Sequence, residues 1–173
     1  AGPVAWASDG ALLFAAMEID EPETDGCGLE AATALAYADL AAFMAARGRH
    51  TPHLLRIWNY MDAITAGEGD VAETSTLPAA TAIGSSDGSR RLQVYWLASR
   101  EPGTPVENPR QVSAWRYPRQ YGPQSPSFAR AMLPPAGAAM PLLLSGTAAV
   151  VGHASQHSDS VAAQLDETLA NLD

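Results

Sequence analysis

The chain has 173 residues, 47% of them hydrophobic, with a net charge of −9 and a sequence pI near 4.7. That length suits one domain or two small ones, and the apolar fraction is that of a globular chain rather than a disordered one. All ten basic residues are arginine, and the acidic balance argues against non-specific nucleic-acid binding. Apolar runs such as Met140–Leu144 fall far short of the roughly 20 residues needed to cross a bilayer, so no membrane span is expected.

In chain order, Ala11–Ile19 follows the Asp9-Gly10 turn and is predicted to be a strand. Glu21–Gly28 is a loop containing the lone Cys27, which rules out an internal disulfide and fits a reducing cytoplasm. No basic segment followed by an apolar stretch opens the sequence, so no signal peptide is expected. Leu29–Arg47 is the clearest helix, with Leu29, Ala32, Leu35, Ala36, Leu40 and Phe43 at helical spacing and Gly48 as its stop. Leu54–Asn59 reads as a strand, 66–76 as an acidic surface loop, and Ala79–Ile83 as a short strand. Leu92–Ala98 is a strong strand with Leu92, Val94, Trp96 and Ala98 on one face.

Glu101–Pro135 is rich in proline, aromatics and arginine, with Val112–Tyr117 as a possible strand. Leu142–Val151 is predicted to be a strand bent at Ser145-Gly146. Ser160–Leu172 is predicted to be a helix, capped by Asp159 and carrying the stripe Val161, Leu165, Leu169 and Leu172. The order of elements predicts an α+β fold with helices on one face of a mixed sheet.

Three segments have the chemistry to hold a small anion. In Arg56-Ile57-Trp58-Asn59-Tyr60, alternation puts Arg56, Trp58 and Tyr60 on one face. A buried guanidinium there needs a partner, either a ligand carboxylate or a structural one such as Asp62. Ser113–Pro123 offers Arg116, Arg119, Tyr117 and Tyr121, donors suited to an oxygen-rich dianion, or else a loop stapled over the sheet. Ser145-Gly146-Thr147-Ala148-Ala149 has the small residues that allow close approach to the backbone, or that mark a bulge without function. His153 and His157 lie four apart without a convincing third ligand, so no metal site is expected. Phosphate-loop, dinucleotide and nucleophile-elbow motifs are missing from the sequence.

The strings His53–Tyr60, Pro78–Gly84, Glu107–Ala114, Tyr117–Pro123 and Ser145–Ala148 through Val151–His153 resemble chorismatases in matching order across nearly the whole chain. The nearest branch is the one that forms 3- and 4-hydroxybenzoate for xanthomonadin and ubiquinone. The resemblance implies a YjgF/Rid-like fold, with a first unit over 1–135 that includes the proline-rich substrate loop. The start of a second unit would cover 136–173. It implies the substrate chorismate, pyruvate release without metal or redox cofactor, and a monomer or small homo-oligomer. Tyr121 and Gly122 match the family's substrate-contacting pair, Gly146, Thr147, Ala148 and Ala149 its pocket-shaping strand, and Arg119 and Arg56 further binding positions. The family's catalytic glutamate is expected on a strand beyond Asp173, and Glu167 does not match it. The family also carries an arginine- and aromatic-rich helix where Asp70 here passes to Val71-Ala72-Glu73. A catalytically incomplete Rid-like binding or assembly module is the alternative.

Overall fold

The computed structural model describes residues 4–21, 28–62, 77–85, 88–122 and 125–173. Its elements are β1 (Ala5–Ser8), β2 (Leu12–Asp20), α1 (Gly28–Ala45), β3 (Leu54–Asp62), β4 (Ala79–Ser85), β5 (Arg91–Ser99), β6 (Thr104–Val106), β7 (Ala131–Leu133), β8 (Leu143–Leu144), β9 (Val150–Val151), β10 (Ala154–Ser155) and α2 (Val161–Ala170). Five strands form a sheet in the order β1-β2-β5-β3-β4, antiparallel except for the parallel pair β3 and β4. The small antiparallel sheet β6-β7-β8 draws strands from both sides of the expected boundary at residue 135, and β9 pairs with β10.

Alternation along the strands builds the main core. Leu13, Ala15, Met17 and Ile19 of β2, Ile57 of β3, and Leu92, Val94, Trp96 and Ala98 of β5 are buried against α1. The helix answers with Ala32, Ala36, Leu40 and Met44, a row of four-residue steps whose two alanines let it lie close to the sheet. The predicted stripe is corrected by this row: Leu35 stands beside it and is exposed, while Met44 is buried. Gly48 ends the helix as expected. It adopts φ +66° and donates its N–H to Ala45 O at 3.0 Å, while Arg49 N–H reaches Met44 O at 3.0 Å. That pair of bonds is a Schellman motif, which needs a left-handed residue at this position.

Leu55 sits at a register shift between β3 and β5. The irregularity lets Leu54 enter the main core while Leu55 joins Ala79 and Met132 in a second, smaller core. Leu12, Leu97, Met140 and Leu143 pack onto that second core, so the small sheet lies on the side of the main sheet away from α1. The rest of this face stays open, with half-exposed Phe14, Trp58, Tyr60 and Tyr95 around a basin of about 430 Å³.

Several expectations are corrected. Ala5–Ser8 is a strand, made a hairpin partner of β2 by Asp9, whose Oδ1 accepts from Ala11 N (2.9 Å) and Leu12 N (2.7 Å). Val112–Tyr117 contains a 3-10 turn, Ala114–Arg116, in place of a strand. The expected strand Leu142–Val151 is broken into β8 and β9 where Ser145, its N–H still on Arg130 O at 2.9 Å, and Gly146 reach across to the edge of β4. Ser160, not Asp159, caps α2, its Oγ accepting from Ala163 N at 3.3 Å. The α2 stripe faces outward, with Val161 83% and Leu165 57% exposed. The expected acidic loop at 66–76 and Cys27 lie outside the described residues.

Candidate functional site

The site is assembled where β3 and β4 meet residues 144–147. Alternation holds as expected on β3: Asn59 turns inward and exchanges hydrogen bonds with Tyr37 of α1, while Arg56, Trp58 and Tyr60 share the opposite face. Arg56 donates through Nη1 to the carbonyl of Leu144 and through Nη2 to Thr81 Oγ1 at 2.7 Å. Its guanidinium carbon lies 5.0 Å from the Trp58 ring centroid. Burial lowers its pKa, with Tyr60 acting in the opposite direction. Among the described residues no carboxylate forms a salt bridge with Arg56; a hydroxyl and a carbonyl satisfy it instead.

Thr81 Oγ1 also accepts from Gly146 N at 3.1 Å, which ties the glycine to Arg56 through one hydroxyl. A Cβ on Gly146 would stand 3.4 Å from the Thr81 side chain, so the small residue permits this approach. The buried Ser145 fastens the same segment, accepting from Ala80 N at 2.9 Å and donating to the carbonyl of Ala129.

Beyond Gly146 opens a cavity of about 240 Å³. Its walls include Arg130, Gly146, Thr147, Arg110 and Asn171, with the exposed acids Glu107 and Asp173 also on the lining. That volume lies just below the roughly 300–1,000 Å³ usual for ligand pockets, so it suits a small ligand. Two polar atoms of the lining residues, Arg130 Nε and Thr147 Oγ1, are buried without a hydrogen-bond partner among the described residues. Arg130 donates through Nη2 to Val112 O and to Tyr117 Oη, both at 2.8 Å, and its guanidinium carbon lies near the Phe128 and Tyr117 rings at 5.4 and 5.5 Å.

Tyr121 continues this chain of contacts. Its ring lies 5.9 Å from that of Tyr117, and its hydroxyl is 3.0 Å from His153 Nδ1. Of the residues picked from sequence, Gly146 and Thr147 line the cavity, and Arg56 stands behind Gly146 through Thr81. Arg119, Tyr121 and Gly122 belong to the neighbouring 3-10 turn and its end rather than to the lining. Ala148 gives its carbonyl to Asn171 Nδ2 at 2.9 Å, and the buried Ala149 gives its carbonyl to Gln156 N at 2.7 Å.

Arg130, Thr81, Asn171 and Arg110 were not singled out by sequence. Arg130 had no local signal: the burial of Ala129 and Ala131 on either side of it, at the entry to β7, shows only in the structure. Asn171 had none: it gathers Arg110 Nη1 on Oδ1 (2.8 Å) and gives Nδ2 to Ala148 O and Val150 O (both 2.9 Å), partners remote in the chain. Glu167 accepts from Arg110 Nη2 and pairs with His157 Nε2 at 3.3 Å; first Arg110 and then His157 lower its pKa. Among the described residues no group of three His, Cys, Asp or Glu side chains is placed to hold a metal ion, and no helix is long and apolar enough to cross a membrane.

Comparison with known proteins gives concordant results. A family model described as chorismatase FkbO/Hyg5-like, N-terminal, matches residues 1–75. A chorismatase of Streptomyces rapamycinicus is 33% identical over 191 aligned residues, covering 98% of this chain and 55% of that protein. A 3-hydroxybenzoate synthase of Streptomyces hygroscopicus is 42% identical over 106 residues, covering 58% of this chain and 31% of that protein. The crystal structure of a chorismatase superposes with a TM-score of 0.82 at 30% identity, again over 98% of this chain and 55% of the other. The chain thus spans about half the length of the chorismatases it matches. The 191 aligned positions outnumber its 173 residues, so the first relative has residues with no counterpart here.

Proposed function

On the premise that this chain belongs with the chorismatase FkbO/Hyg5-like family, which the family model and the homologues support, we propose that the whole protein converts chorismate to 3- and/or 4-hydroxybenzoate and pyruvate. The observation that carries this reading is the 33% identity to a chorismatase over 98% of the chain, together with a cavity lined by Arg130, Gly146 and Thr147. A guanidinium on such a lining can pair with a carboxylate, and a threonine hydroxyl with a ligand oxygen.

In this reading Arg130 holds a carboxylate of chorismate, Thr147 meets an oxygen on the ring, and Gly146 leaves room for it. Tyr121, Gly122 and Arg119 approach from the turn, and Ala148 and Ala149 shape the wall from behind. Arg56 holds the wall in place through Thr81 and Leu144. Fixing the substrate in this way orients the enolpyruvyl ether for reaction.

The chemistry then needs a protonated acid to deliver a proton to the methylene carbon of the enol ether. The resulting oxocarbenium character weakens the ether bond to the ring. Pyruvate departs with the ether oxygen as its keto oxygen. Loss of a ring proton then gives 4-hydroxybenzoate, whereas internal attack of the ring hydroxyl on the vacated carbon, opening of the resulting epoxide at its original carbon and loss of a proton give 3-hydroxybenzoate. The conversion is redox-neutral and consumes no water overall. Glu167 is a poor candidate for the acid, because Arg110 and His157 lower its pKa and so favour the carboxylate. The resemblance, rather than any elimination among these residues, implies that the donor is a glutamate outside these 173 residues.

The finer proposals are a YjgF/Rid-like architecture divided near residue 135, the xanthomonadin and ubiquinone branch of the family, and a cytoplasmic setting. The test is pyruvate release from chorismate by the whole protein, read through coupled reduction to lactate. Arg130→Ala and Arg130→Lys are both expected to lower kcat/KM by about 100-fold or more, because an ammonium cannot reproduce the guanidinium fork. Unchanged kinetics in both variants would remove the cavity from the mechanism. Tight chorismate binding without any pyruvate from the whole protein would favour the Rid-like binding module instead.

A further inference from the structure

Two apolar surfaces meet at the cavity and stand open. The first is the outer face of the small sheet. Met132 and Leu143 belong to the second core, so alternation turns Ala131 and Leu144 the other way. The register sets Val106 beside Ala131 and Ala131 beside Leu144, a row across all three strands. The second surface is the α2 stripe, whose Val161, Leu165, Leu169 and Leu172 are exposed. The two are joined: Val106, Leu142, Leu144 and Leu172 line the same cavity, and each is between 38% and 44% exposed. A contiguous apolar surface of this kind marks a packing site, unlike single exposed side chains.

The helix is oriented without using its stripe. Ser160 caps its start, Glu167 joins it to Arg110 and His157, and the buried Asn171 at its end bonds Arg110 Nη1 and the carbonyls of Ala148 and Val150. None of its ten residues is buried. Isolated helices shorter than about 12–15 residues are marginal in water, and most draw their stability from a packed apolar face. In α2 polar contacts supply the anchorage, and the apolar face that would complete it points away from these residues.

We propose that this surface, from the row of Val106, Ala131 and Leu144 across Leu172 to Leu165, seats the part of the whole protein that lies outside these 173 residues. The chain covers 55% of the Streptomyces rapamycinicus chorismatase and 55% of the crystallised one, so nearly half of each has no counterpart here. The family model that matches from residue 1 is described as N-terminal, which puts most of that remainder after the matched stretch. Leu172 and Asp173 are on the cavity lining, so residues joined to Asp173 in the whole protein set out from this surface. A second copy fits less well. It would bring the exposed lining acids Glu107 and Asp173 of two chains, each of net charge −9, onto one interface. The docked body also roofs the cavity beside Arg130 and Thr147. This inference rests on the family reading and not on the chemistry proposed for that cavity.

The test uses the whole protein. In hydrogen exchange of the wild type, the α2 amides are expected to be protected to within about 30-fold of those of α1, since a covered helix opens with the rest of the fold. Faster exchange at α2 than that overturns the cover. Benzoylphenylalanine in place of Leu165, and separately of Leu133 on the same outer sheet face, identifies the occupant. On irradiation each is expected to cross-link, within one chain, to a peptide outside residues 1–173. Cross-links between two chains, or to residues 1–173 alone, or none at all, overturn the assignment. Two positions are used so that a substitution that hinders folding leaves the other to read. An inactive protein that gives the intrachain cross-link overturns the chorismate reading and leaves this one standing; an active protein without it does the reverse.

Discussion

Thr81 shows how much one hydroxyl can connect. It accepts from Arg56 and from the backbone of Gly146, so it joins the third strand, the fourth strand and the cavity wall. Thr81→Val keeps the shape and removes the acceptor of Arg56 Nη2, while Gly146 N–H keeps its bond to Ala80 O at 3.1 Å. It is expected to cost about 1–3 kcal/mol in chemical denaturation. Glu167 gives a pH prediction of definite sign. Its folded-state pKa lies below that of the unfolded chain, so the carboxylate stabilises the fold above the ordinary carboxylate range, and that contribution is lost as pH falls through the folded value. Acid titration of α2 followed by hydrogen exchange is expected to show weakening below about pH 4.3, and Glu167→Gln to flatten that response. The β3 alternation was legible at this scale because period-two patterning fixes faces. The partner of Arg56 was not, since Thr81 and Leu144 reach it only through tertiary pairing.

The two helices illustrate opposite ways to hold an element. α1 is held by apolar burial, with its alanine row on the sheet. α2 leaves Leu165 and Leu169 exposed and is tied down by polar contacts around the buried Asn171, which also takes Asn108 Nδ2 on its backbone oxygen at 2.8 Å. In these 173 residues taken alone, Leu165→Gln is therefore expected to change the unfolding free energy by less than about 0.5 kcal/mol. Asn171→Ala strips partners from Arg110 and from the Ala148 and Val150 carbonyls and is expected to cost about 1–3 kcal/mol, measured in the same denaturant series. Periodicity revealed that both elements are helices. The predicted stripe of α2 stands exposed, because an apolar stripe specifies a face without specifying what covers it.

At the scale of the molecule, the two cores divide between Leu54 and Leu55, and Gly103 is a tight joint within the second. A Cβ on Gly103 would stand 2.6 Å from Met132 Sδ, 2.8 Å from Leu55 and 3.0 Å from the carbonyl of Leu133. Gly103→Ala is expected to lower the unfolding midpoint, at a cost of about 1–3 kcal/mol, because backbone as well as side chain must move to admit the methyl. This joint lies in the proline-rich stretch, where sequence reading found an absence of regular structure and missed β6 and β7. By itself the sequence determined the α+β class, the buried faces of β2 and β5, the stop of α1 and the family resemblance, because each of these depends on residues close in the chain or on a preserved order of motifs. Only the tertiary structure decided that Arg130 and Thr147 share a cavity, that 145–146 bridge the small sheet to β4, and that His153 meets Tyr121. Those contacts join residues 17 to 65 positions apart, and nothing local records them.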